Sequence, residues 1–155
     1  MDDLTLTAGV ARVDITPPVG FRMPHIIRNI EASEGVESPL LATVLVLTDA
    51  QTKVVILDCD LGGMDLPLVN EIRQKIGELL DTPTSHVSVA VTHTHSSPLT
   101  ERSKVAVPHL TGFSSSVVEA SNAYIDNLVN QLCGIAVLAD NRGQPARVAS
   151  GRGQA

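Results

Sequence analysis

The fold of this chain is decided by the stretch between residues 54 and 91, which reads VVILDCDLGGMDLPLVNEIRQKIGELLDTPTSHVSVAV. Apolar runs at 54–57 and 87–91 predict two strands, and apolar residues at helical spacing between 65 and 80 predict the helix that joins them. Asp65 is suited to cap this helix, and Pro67 is suited to its first turn. A strand–helix–strand unit of this kind predicts two parallel strands with a right-handed crossover.

The segments around this unit complete an α/β pattern. Runs at 43–47 and 53–57 flank a polar turn and predict an antiparallel hairpin, and their nearly continuous apolar character predicts that both faces of the sheet are covered. Further strands are expected at 8–15 and 146–149. We therefore predict one α/β domain over residues 1–155, with a mixed sheet that contains a hairpin and a strand–helix–strand crossover, and with helices covering the sheet.

Two helices should pack against this sheet through apolar stripes. The first, at 65–80, is expected to bury Val69, Ile72, Ile76 and Leu79. The second is expected at 117–138, with Ser115 or Ser116 as its cap. Its apolar stripe would comprise Tyr124, Leu128, Leu132 and Ile135. Residues 21–39 show no periodicity and predict a long loop, which in a compact domain is more often functional than idle.

Composition narrows the classes of protein to be considered. With 43% hydrophobic and 18% charged residues the chain is not of the disordered class. A net charge of −6 and an aromatic content of 2% argue against a nucleic-acid partner. The sequence has no apolar run near the ~20 residues of a membrane span and no signal-peptide pattern at its acidic start, so we expect a cytoplasmic protein. Cys59 and Cys133 share no metal-binding spacing and are expected to be buried thiols.

Polar side chains follow both strands of the central unit. Asp58 and Asp60 follow the first strand, and His93 and His95 follow the second. Because the carboxyl ends of parallel strands meet at one edge of a sheet, these residues should lie close together. Alternate residues of a strand share a face, so two imidazoles could approach one zinc ion while a carboxylate fixes their tautomer. Zinc would then lower the pKa of a bound water to about 7.

The histidines also allow a plainer interpretation, in which they are polar residues at a strand exit that bond to loop backbone. Two ligands are fewer than the three or four of usual zinc sites. His25, His86 and His109 are more typical of surface histidines than of ligands. Serine nucleophiles are less favoured, because no G-x-S-x-G turn surrounds any serine of the chain.

Several segments together resemble the neutral/alkaline, non-lysosomal ceramidase family. Residues 9–20, GVARVDITPPVG, resemble the opening of that family, and residues 35–47 and 54–62 resemble its next two blocks. Residues 92–98, THTHSSP, resemble the family signature Thr-His-Thr-His-Ser-Gly-Pro, and residues 151–153 fall where a similar segment occurs. The resemblance covers nearly the whole chain in the order of the family.

The resemblance implies a zinc amidase that cleaves the N-acyl bond of ceramide or a related lipid amide. It implies that His93 is a zinc ligand, that His95 contacts substrate or assists proton transfer, and that Asp60 supports the site from behind. Ser97 replaces the signature glycine and is expected to narrow the approach to the metal. Residues 36–38, Val-Glu-Ser, stand where the family often has a His-Asp pair before Pro-Leu.

The other metal ligands of the family, a second His, a Glu and a Tyr, correspond to positions beyond residue 155. We therefore expect this chain to be the N-terminal part of a ceramidase-like hydrolase domain, with an incomplete zinc site and no activity by itself. Its partner would be a small-molecule amide or lipid amide, and the sequence indicates no oligomeric state. The alternative is a catalytically inactive domain of the same fold that serves as a binding or assembly module.

Overall fold

The computed structural model describes residues 6–22, 32–105 and 114–154. Its described part contains one mixed sheet with strand order β4-β3-β2-β1-β5. The strands are β1 (Thr7–Asp14), β2 (Leu41–Thr48), β3 (Lys53–Cys59), β4 (Val87–Val91) and β5 (Gln144–Pro145). Strands β3 and β4 are parallel, and the other neighbours are antiparallel. The predicted α/β fold, its hairpin and its parallel pair are confirmed.

Helix α1 (Leu66–Leu80) begins where the sequence predicts. The Asp65 carboxylate accepts a hydrogen bond from the Leu68 backbone N–H at 3.2 Å, which supplies a partner for an amide of the first turn. The predicted stripe is right at its centre, Val69 is half-buried, and the prediction is wrong for Leu79. Leu68 and Leu80 are buried with Ile72 and Ile76, whereas the Leu79 side chain is 56% exposed.

Helix α3 (Ser115–Asn141) runs past the predicted bounds at both ends, and the four-residue helix α2 (Arg102–Val105) precedes it. Ser114, not Ser115 or Ser116, is the residue at its N-cap. The predicted apolar face is confirmed: Leu128, Leu132 and Ile135 are buried, and Tyr124 packs against the core. The Tyr124 hydroxyl donates a hydrogen bond to the Ile15 carbonyl at 2.7 Å, which ties α3 to the end of β1.

Helices α1 and α3 lie side by side on one face of the sheet. Along β2, the inward residues Ala42, Val44 and Val46 are buried, and the residues between them are only half-buried. On the opposite face, Val10 is 53% exposed and Ile56 is 41% exposed. The expectation that both faces are covered is therefore wrong for the described residues, because both long helices pack on the same side.

The strand expected at 146–149 is also not formed. Pairing with β1 stops at Gln144–Pro145, and one further hydrogen bond joins the Ala146 N–H to the Leu6 carbonyl at 2.9 Å. No helix in the described ranges is long and apolar enough to cross a bilayer. The single domain over residues 1–155 and the cytoplasmic location stay predictions.

Candidate functional site

The parallel pair β3–β4 brings two polar segments together at one edge of the sheet. The strands end in register, with Cys59 opposite Val91. Hydrogen bonds continue the pairing past the strand ends: the Thr92 N–H donates to the Cys59 carbonyl and the His93 N–H donates to the Leu61 carbonyl, each at 3.0 Å. The segments that carry Asp60 and His93 are therefore neighbours, as the crossover predicts.

His93 does not continue the strand. Its φ is +60°, in the left-handed region that few residues other than glycine adopt, and histidine is one of the more tolerant exceptions. The expectation that His93 and His95 share a face through strand alternation is therefore wrong. The chain turns at His93, and this turn brings the two rings into edge contact, with centroids 5.3 Å apart and ring planes at 83°.

The orientation of the His93 ring is set by a backbone carbonyl. Its Nδ1 atom lies 2.6 Å from the carbonyl oxygen of Gly62. Because a carbonyl oxygen can only accept, Nδ1 carries the proton, and in the neutral ring the lone pair is then on Nε2. This is the tautomer that a histidine needs in order to bind a metal ion through Nε2.

Of the two predicted carboxylates, Asp60 follows β3 and lies at the candidate site, whereas Asp58 lies within the strand. Its Oδ2 accepts a hydrogen bond from the Leu41 N–H at 3.0 Å, and its own N–H donates to the Leu41 carbonyl at 2.8 Å. These two bonds fix Asp60 against the first residue of β2. Asp58 is exposed on the uncovered face of the sheet, opposite Ala90.

A cavity of about 470 Å³ opens beside this edge. Asp60, Thr94 and Ser96 form one side of it. The loop before β2 forms much of the rest and contributes Glu37 and Ser38. The cavity thus lies against the segment that carries both histidines and is bordered by hydroxyl and carboxylate groups. The aperiodic loop was the sequence signal for this wall, and residues 36–38, which stand where the ceramidase family often has a His-Asp pair, are among those that line it.

The other candidate groups lie elsewhere. His86 sits in a single helical turn before β4, where its Nδ1 donates a hydrogen bond to the Lys53 carbonyl at 3.2 Å. His25 and His109 lie outside the described residues. Cys59 and Cys133 are free thiols, the first buried and the second half-buried. Burial raises the pKa of the Cys59 thiol to about 12, so it is neutral at physiological pH.

The residues implied for zinc do not complete a metal site within the described part of the chain. No group of three or more His, Cys, Asp or Glu side chains there is arranged to hold a metal ion. His93 has a suitable tautomer, but a catalytic zinc site usually has three protein ligands. The described residues therefore supply only part of a zinc site.

Comparison with known proteins gives a structural match. No family model matches the chain, and no curated protein sequence does. The neutral ceramidase from Pseudomonas aeruginosa superposes with a TM-score of 0.64 at 22% identity, over 93% of this chain and 23% of that protein. A ceramidase complexed with C2 superposes with a TM-score of 0.59 at 21% identity, over 92% of this chain and 22% of that one. This chain has a ceramidase-like fold and spans under a quarter of the length of these two proteins.

Proposed function

We propose that this chain is the N-terminal part of a metal-dependent amide hydrolase of the ceramidase type, which cleaves the N-acyl bond of ceramide or a related lipid amide. One observation carries the proposal. In a ceramidase-like fold, the Gly62 carbonyl holds the His93 ring at Nδ1, the ring contacts that of His95, and the residues that alternate with them, Thr94 and Ser96, line the 470 Å³ cavity.

Each of the three predicted residues has a distinct role in this proposal. His93 is a metal ligand through Nε2. His95 contacts the substrate or assists proton transfer, since its ring touches that of His93. Asp60 supports the site by joining the end of β3 to the start of β2 at the cavity wall. The metal would be zinc, and the chemistry it supplies when bound is polarisation of the amide carbonyl and activation of water.

The sheet face that the described helices leave exposed supports the proposal that this chain belongs to a larger protein. Val10, Leu45 and Ile56 stand next to one another in the register of β1, β2 and β3, so they form a continuous apolar row on that face. Val10 and Ile56 are both exposed to solvent in the described chain. A contiguous apolar patch of this kind is typically covered by a further layer of structure. In the proposed parent protein, that layer and the missing ligands come from further chain.

The proposal is tested with the complete product of the gene and an N-acyl amide whose fatty acid carries a fluorophore. His93→Ala should abolish hydrolysis, and His95→Ala should lower kcat about 10²- to 10⁴-fold, the usual contribution of a proton-transfer group. His86→Ala is the matched control and should leave hydrolysis unchanged. His86 precedes β4, at the opposite end of that strand from His93, and bonds to the Lys53 carbonyl. Full activity in His93→Ala would overturn the proposal. A folded, complete product that binds no zinc and hydrolyses no amide would instead favour the inactive module.

A further inference from the structure

Ser97 lies in the loop that carries both histidines, and its side chain faces inward. Its exposed fraction is 0%, and its Oγ accepts a hydrogen bond from the Gly62 N–H at 2.8 Å. The Ser97 hydroxyl donates to the Pro98 carbonyl, with Oγ and the carbonyl oxygen 3.4 Å apart. The serine that replaces the signature glycine is thus part of the loop interior, where it joins the segment after β4 to the segment after β3.

The peptide group that bonds to Ser97 also accepts a hydrogen bond from the His93 backbone N–H. The N–H of the Leu61–Gly62 peptide donates to Ser97, and the carbonyl of that peptide accepts the His93 N–H at 3.0 Å. The next carbonyl along the chain, that of Gly62, accepts the His93 Nδ1–H. Two consecutive carbonyls therefore hold His93, one at its backbone and one at its ring, and Ser97 fixes the first of these peptides.

This support matters because the segment is otherwise easily reoriented. Residues 62 and 63 are both glycine, and glycine has more accessible backbone conformations than any other residue type. Gly62 is buried, so its N–H has to find a partner inside the protein. The Thr100 hydroxyl makes a similar contact with the Gly63 carbonyl. Side chains from the histidine loop thus hold the peptides on either side of the Gly62–Gly63 peptide, whose carbonyl accepts the His93 Nδ1–H.

We infer that Ser97 is a positioning residue for His93. By accepting the Gly62 N–H, it holds the peptide that precedes the Gly62 carbonyl, and so it helps to keep that carbonyl directed at Nδ1 and His93 in the Nδ1–H tautomer. The inference concerns the site of the proposed function, but it is read from the ring of His93 and not from hydrolysis. The inference about Ser97 can therefore be confirmed in a chain that has no amidase activity. It can also be contradicted in an enzyme that is fully active.

The test uses the 155-residue chain labelled with ¹⁵N, at a pH of about 8, where a histidine of ordinary pKa is neutral. Long-range ¹H–¹⁵N correlation spectra distinguish the Nδ1–H from the Nε2–H tautomer of each imidazole. The wild-type chain should show His93 as Nδ1–H. Ser97→Ala should lose that signature in favour of Nε2–H, and Ser88→Ala, an exposed serine in β4, should keep it.

A second control separates positioning from general loss of stability. Val46→Ala removes buried volume from the core without touching the loop, so it should lower stability and leave the His93 tautomer unchanged. If Ser97→Ala does not fold, Ser97→Cys decides the question, because a thiol is a poorer acceptor of similar size and should lower the Nδ1–H share. An unchanged Nδ1–H signature in the folded Ser97 variant, or an Nε2–H ring in the wild-type chain, overturns the inference.

Discussion

Gly9→Ala should destabilise the chain strongly, because helix α3 packs directly on the backbone of β1 at this residue. A Cβ atom at position 9 would lie 1.9 Å from the Ala139 carbonyl oxygen and 2.9 Å from its carbonyl carbon. Ordinary contact would require the end of α3 to move by roughly 1.5 Å. Overpacking typically costs 1–3 kcal/mol, and we expect about 3 kcal/mol because the obstacle is helix backbone that cannot rotate away.

Thermal and urea unfolding of the 155-residue chain measure this cost. A loss of about 3 kcal/mol corresponds to a fall in Tm of about 6–12 °C in a protein of this size. Gly134→Ala is the matched control, since Gly134 is an exposed residue of the same helix with no atom within 4 Å of an added Cβ. Alanine there should stabilise the chain by about 0.5–1 kcal/mol. Equal Tm values for Gly9→Ala and the wild-type chain would refute the close packing of α3 on β1.

Two further predictions concern titratable groups. Backbone hydrogen bonds from Gln51 and Thr52 lower the pKa of Asp49 in the folded chain below its unfolded value of about 3.9, so the stabilisation it provides is complete above pH 4 and is lost as the pH falls through the folded pKa. Urea unfolding of Asp49→Asn between pH 5 and 2 should therefore show a smaller acid-induced loss of stability than wild type, and identical pH profiles would contradict this. In the native chain, iodoacetamide should label Cys133 faster than Cys59, because Cys59 is fully buried and its pKa is raised. In denaturant both thiols should react at the same rate. Equal labelling rates in the native chain, measured by mass spectrometry, would contradict the burial of Cys59.

The parts of the fold that follow from local pattern were predictable from sequence. Asp65 and Pro67 mark the start of α1 because their effects are confined to one helical turn. The end of its buried stripe was not predictable, since Leu79 and Leu80 are equally apolar and only the packing of α1 on the rest of the core decides which one is covered. For the same reason, the exposed face of the sheet was not predictable. Apolar residues occur on both of its faces, and sequence alone does not say on which side two helices will pack.

The candidate site was also predictable only in part. The crossover predicts that the segments after β3 and β4 meet, and the hydrogen bonds of Thr92 and His93 show that they do. The left-handed turn at His93 and the role of the Gly62 carbonyl were not predictable, because they depend on contacts between segments about 30 residues apart. Their only sequence signal was the glycine pair at 62–63, where a side chain from another loop can reach the backbone closely.

The central claim is that His93 is a zinc ligand and that this chain supplies only some of the ligands of the site. Zinc titration of the 155-residue chain, with and without His93→Ala, is the most direct test of it. Since the loss of even a supporting group costs metal affinity about 10- to 100-fold, a chain that lacks whole ligands should bind zinc weakly, and His93→Ala should weaken the binding further. Calorimetry measures both the affinity and the stoichiometry. Tight binding of one zinc ion per chain would contradict the incomplete site and direct attention to His25 and His109, and binding unaffected by His93→Ala would contradict the role of His93.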